Sequence, residues 1–218
     1  MAEKRVRESR LRRDSSGKPR FHILICCEGK QTEPSYFNHI RQKLRISKDA
    51  LKVQGLGYDP LSLVKCAARH KSKAERDKIP FEEVWCVLDC DNHPNIQEAF
   101  EEAERHKIKV IFSNPCFEIW YLFHFKKQTA FIERDKALKE LKSFFTEYEK
   151  SMEKNTGIKF YELLQNHFLT ACENVEEIRN EHKNNGKQET ENPSTKADSL
   201  VKYLFGLRDG GNYDLLRR

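Results

Sequence analysis

Two short apolar runs in this chain, Phe21–Cys27 and Val84–Leu88, each stop at an acidic residue, Glu28 and Asp89. Runs of this length, rich in β-branched and aromatic side chains, are buried strands. The stretches around them carry helical spacing, so strand and helix alternate along the chain. That alternation restricts the fold to the α/β class, with a mostly parallel sheet joined by right-handed crossovers. In open sheets of this kind, ligands bind outside the carboxyl ends of the strands. The acids therefore stand where such folds do their chemistry.

The second run closes on a pair, Asp89 and Asp91. Residues i and i+2 of an extended chain project to one side. Two carboxylates held together repel unless a cation or a proton lies between them. Glu28 occupies the equivalent end of the first run, and Gly29 suits a tight positive-φ turn into a helix. Glu28, Asp89 and Asp91 together make an oxygen-only ligand set, which suits Mg²⁺ or Mn²⁺. The plainer alternative is that acids at strand ends cap the helices that follow.

The remaining elements fill in around these runs. Thr32 or Glu33 caps a helix that accepts Pro34 in its first turn and runs to Leu44. A short strand at 50–54, a helix opened by Asp59-Pro60, a helix after His93-Pro94-Asn95 and a strand at 108–112 complete a sheet of about four strands. Cys116–Phe125 is apolar all round and reads as a helix buried on most sides. From residue 131 no strand is evident, and helices are expected at 134–149, 158–181 and 194–206. The polar stretch 183–192 is a disordered loop or a lid. The expected organisation is thus a basic tail at 1–19, an α/β core at 20–130, a helical region at 131–208 and a frayed end at 209–218.

Composition narrows the setting. Of 218 residues, 34% are charged, and no apolar stretch reaches the roughly 20 residues a membrane span needs. No N-terminal apolar segment resembles a secretory signal. The seven cysteines are odd in number and lack a CxxC pair, as expected of buried, reduced thiols in the cytoplasm rather than of a zinc ribbon. Residues 1–20 hold eight Lys and Arg against three Asp and Glu, so nearly all of the net +6 lies in this segment. Such an arm contacts nucleic-acid phosphate, docks on an acidic partner or simply solubilises the chain.

Several side chains outside the triad invite chemical roles. Glu33 either assists at the metal or serves as a helix N-terminal carboxylate. Glu118 lies within the most apolar segment, where a carboxylate needs a partner: a second metal, a proton, or an Arg or Lys. Lys30 and Lys196 are candidate phosphate contacts, with plain solvation as the alternative for Lys196. His93 is a base or a helix-start residue, and Asn114-Pro115 shapes a turn. The C-terminal aromatics Phe144, Phe145, Tyr161 and Phe168 are expected in the core, with an interface as the alternative.

A strand–Glu-Gly–helix followed by a strand ending in Asp-x-Asp resembles the Toprim domain of topoisomerases, primases and OLD-type nucleases. The ordered set Cys27–Phe37, Asp59–Val64, Val84–Asp91, Ser113–Trp120 and Asn192–Lys196 resembles one Toprim-like family, the RloB-like proteins. The resemblance spans residues 20–206. It implies a Toprim-like core, a Mg²⁺-dependent nuclease or related phosphotransfer site acting on DNA or RNA, and a role in prokaryotic anti-phage defence. It also implies pairing with an ATPase of the AAA or ABC type. No segment supplies the attacking tyrosine of a topoisomerase, so strand passage is not expected. A non-catalytic module binding nucleic acid or protein, and a homo-oligomer, stay open. A receiver-like switch is disfavoured, because receivers place the acidic pair after the first strand and the acceptor after the third.

Overall fold

The computed structural model describes residues 22–90, 93–145 and 157–209. The basic tail at 1–19, Asp91, residues 146–149 and the terminal 210–218 lie outside the described residues. The elements in order are β1 (Ile23–Cys27), α1 (Thr32–Lys43), β2 (Leu51–Gly55), α2 (Pro60–Arg76), β3 (Glu83–Asp89), α3 (Ile96–Arg105) and β4 (Lys109–Asn114). Then come α4 (Glu118–Phe123), α5 (Arg134–Phe144), α6 (Gly157–Asn166), α7 (Phe168–Asn184), β5 (Ser194–Thr195) and α8 (Ala197–Asp209).

The five strands run in the order β2-β1-β3-β4-β5. β1 pairs in parallel with both neighbours, with Cys27 opposite Gly55 on one side and Val87 on the other. Every residue of β1 is fully buried, as expected of a strand covered on both faces. The α/β class and the mostly parallel sheet agree with the expectation, and the architecture is compatible with a Toprim-like fold. Two details differ. The sheet has a fifth strand, the two-residue β5, which pairs antiparallel with β4. The helix expected over 158–181 is broken at His167 into α6 and α7.

Two compact units interleave along the chain. The first comprises the described residues up to Val87, 93–110 and those from Val201. Within it, α2 starts where the sequence signals: Pro60 is its first residue, and the Asp59 side chain accepts from the Ser62 amide at 3.1 Å. That bonding holds the Asp59 carboxyl below the usual aspartate range. Lys109 joins Glu83 at 2.7 Å and lies over the Trp85 ring.

The second unit holds 88–90 and the described residues from Ile111 to Leu200. Its core is α4. Ile119, Trp120, Tyr121, Leu122 and Phe123 are all fully buried, each worth about 1.5–3 kcal/mol by removal from water. Tyr121 meets Phe160 edge to face at 5.1 Å, and Trp120 meets Phe168 at 6.0 Å. Just beyond the helix, buried His124 donates from Nδ1 to the Trp120 carbonyl at 2.8 Å. Phe168 and Tyr161 join this core as expected, whereas Phe144 is 44% exposed and stacks on Phe125. Among the described residues, no helix is long and apolar enough to cross a membrane.

Candidate active site

In the first unit, the chain leaves β1 through Glu28, Gly29 and Lys30. This turn is wedged against the end of β2. Leu56 donates its amide to the Cys27 carbonyl at 3.1 Å, and Gly57 donates to the Glu28 carbonyl at 2.9 Å. A Cβ on Gly55 would meet the Gly29 carbonyl oxygen at 2.6 Å, and Gly57 takes a positive φ of 66° beneath the Lys30 side chain. Glycine is needed at both places to let backbone approach backbone or to adopt the left-handed region. Gly29 itself is not in that region, contrary to the sequence expectation. Its Cα is instead packed against the Glu33 carboxylate, which accepts from the Gly29 amide at 3.1 Å. Glu33 is buried in the first turn of α1, where a carboxylate suits the helix dipole, and it holds the turn.

The same geometry places Glu28. Its amide donates to the Val87 carbonyl at 3.1 Å, so β1 ends level with that residue of β3. Its carboxylate accepts from His93 Nε2 at 3.1 Å, with the two side chains 13% and 31% exposed. His93 stands ahead of α3 rather than within it. The sequence offered His93 only as a base or a helix-start residue, and no spacing rule ties residues 28 and 93. Lys30 is exposed.

Asp89 and Glu118 belong to the second unit, and each is only 7% exposed. Both act on one thiol. Burial first, then the charges of Glu118 and Asp89 and a hydrogen bond to Glu118, push Cys116 well above the usual thiol range, while Arg134 opposes them. Asp89, Cys116, Glu118 and Arg134 thus share one neighbourhood. Cys116 gave no sign of this in the sequence beyond its place in an apolar run. All seven cysteines are free thiols, and all but Cys90 are buried. Among the described residues, no group of three or more His, Cys, Asp or Glu is gathered in a way that could hold a metal; Asp91 lies outside them.

Lys196 is half-buried and pairs with Glu189 at 3.2 Å. Around it, β5 is clasped to β4. Ser113 and Thr195 share a hydroxyl hydrogen bond of 2.9 Å. Asn114 donates to the Thr190 carbonyl at 2.9 Å, and Asn192 donates to Asn114 Oδ1 at 3.2 Å. Asn192 also exchanges two bonds with the backbone of Ile132, at 2.9 and 2.8 Å. The peptide bonds Asn114–Pro115 and Asn192–Pro193 are both cis. Arg179 closes the clasp with a fork onto Asp198 and a 2.9 Å bond to the Thr195 carbonyl. The end of the polar stretch 183–192 is therefore tied into the unit.

A family model for RloB-like proteins matches residues 23–204. This chain belongs to the RloB-like family. No curated protein and no solved structure matches it. In this RloB-like chain, two of the stretches that carried the resemblance, Ser113–Trp120 and Asn192–Lys196, turn out to be each other's partners: Ser113 opposes Thr195 and Asn114 opposes Ser194 in the β4–β5 ladder. Their residue types are those that a polar clasp between two strands requires.

Proposed function

We propose that this RloB-like protein is a Mg²⁺-dependent nuclease that hydrolyses phosphodiester bonds of DNA or RNA, acting in prokaryotic anti-phage defence with an AAA- or ABC-type ATPase. The observation that carries the reading is the burial of Asp89 and Glu118 around one thiol. Buried acids stay charged only beside positive charge; Arg134 is one such group in this neighbourhood, and a bound cation is another that the same carboxylates accept. A donor set of carboxylate oxygens fits a hard cation such as Mg²⁺ or Mn²⁺. In this proposal Glu28, Asp89 and Asp91 hold the ion.

When bound, the ion polarises the phosphodiester and lowers the pKa of an attacking water. The protein's own groups do the rest. His93 fixes the rotamer of the Glu28 carboxylate through its 3.1 Å hydrogen bond. Glu118 accepts a proton or holds a second ion, and Lys30 stabilises charge on the leaving phosphate. Glu33 stays outside the reaction, keeping Gly29 in place.

The test is incubation of the full chain with DNA and RNA substrates and Mg²⁺ or Mn²⁺, with and without the ATPase. Cleavage is expected, and Glu28→Gln and Asp89→Asn should each lower it by at least about a hundredfold while circular dichroism stays unchanged. Equal silence of wild type and variants with the ATPase present would replace this reading by a non-catalytic binding module.

A further inference from the structure

The first unit contains a concavity that none of these acids lines. A cleft of about 300 Å³ opens beside the start of β1 and along β2. His22, Lys52, Gln54, His70, Lys73 and Phe81 line it, and Asp77 is the acid among the lining residues. Lys52 and Gln54 are two apart on β2 and share one face of the strand. His70 and Lys73 come from the second half of α2.

Cations crowd this cleft. Among the described residues, neither Lys52 nor Lys73 is held in an ion pair; the Lys52 ammonium lies 5.8 Å from the centre of the Phe81 ring. The positive groups lie within electrostatic reach of one another. Burial first, then Arg69, Lys52 and Lys73, holds His70 below the usual histidine range; burial and Lys52 lower His22 as well, against its bonds to the Ile79 and Pro80 backbone and the charge of Asp49. Such self-repulsion is relieved by an anion, and charge-assisted bonds to phosphate oxygens are among the strongest available. The cleft also offers features that inorganic phosphate does not use. His22 and Phe81 stack with ring centres 4.0 Å apart, which extends a flat apolar surface. Gln54 also lines the cleft, and a side-chain amide offers a base edge both a donor and an acceptor. The volume is at the lower end of the range for small-molecule sites.

We propose that this cleft binds a nucleoside monophosphate, with Lys52, Lys73 and His70 on the phosphate and Gln54 and the His22–Phe81 stack against the base. The nucleotide is either free or the phosphorylated end of a strand. The cleft shares no residue with the acidic neighbourhoods, so the proposal does not rest on nuclease activity.

Titration calorimetry on the full chain in EDTA tests it, using adenosine monophosphate, adenosine, inorganic phosphate and a 5′-phosphorylated trinucleotide. The monophosphate should bind at least about tenfold more tightly than adenosine or inorganic phosphate. Affinity should fall as salt is raised. The double variant Lys52→Gln/Lys73→Gln should weaken binding by about tenfold or more with an unchanged thermal melt. A trinucleotide that binds as tightly as the monophosphate assigns the site to strand ends, and a weaker one assigns it to the free nucleotide. Adenosine or inorganic phosphate binding as well as the monophosphate, an unaffected double variant, or no binding at all would overturn the proposal. Because no metal or cleavage enters the measurement, its failure leaves the nuclease reading standing, and the reverse holds too.

Discussion

His124 loses by taking up a proton. It is 1% exposed, its Nδ1 already donates to the Trp120 carbonyl, and burial drives its pKa down to about 3. Above pH 6.5 neither the folded nor the unfolded imidazole is charged. Below that, the unfolded chain binds a proton that the folded chain refuses, so stability falls with acidification, by on the order of one kcal/mol per pH unit. Urea unfolding at pH 7, 6 and 5 should show this loss, and His124→Leu should make the decline shallower. At the same scale, the acids were readable because strand ends are readable: Glu28 and Asp89 each follow an apolar run. Their neighbours were not. His93 meets Glu28 across 65 residues of chain, and Cys116 meets Glu118 inside a run whose only visible property is hydrophobicity. Gly29 was singled out for the wrong reason, since a crowding carboxylate and a positive φ leave the same mark in a sequence.

Arg179 shows how much one side chain can hold at the level of elements. It joins α7, β5 and the start of α8 through Asp198 and the Thr195 carbonyl, and the Asp198 side chain is 2% exposed. Arg179→Ala takes the guanidinium away from a buried carboxylate, and breaking such a pair costs about 3–5 kcal/mol. The unfolding midpoint in urea should drop accordingly, and the Thr195 and Lys196 amides should exchange faster with deuterium. Lysine at 179 should restore only part of the loss, because it lacks the planar fork. The long, strongly patterned elements β1 to β4 and α1 to α3 were legible from periodicity. β5 was not, since two residues have no period and Ser194-Thr195 read as the start of a helix. The break at His167 also escaped notice, because the apolar spacing of α6 and α7 runs on without a glycine or proline to interrupt it.

For the whole molecule, charge is distributed by segment. Residues 1–20 carry most of the net +6, and the body is close to neutral. If the protein acts on nucleic acid, deleting residues 1–20 should lower affinity for DNA and RNA and flatten its dependence on salt, while the melt of the body is retained. Fluorescence anisotropy at several salt concentrations would measure both; an unchanged salt slope would exclude the arm as a phosphate contact. The clasp between β4 and β5 has a different kind of consequence. Ser113 waits for a hydroxyl 82 residues further along, and Asn114 for a side-chain amide 78 residues on. During synthesis, the edge of the sheet therefore stays open until residues 190–195 have emerged. A premature stop anywhere before position 190 removes the seal from strands made long before it.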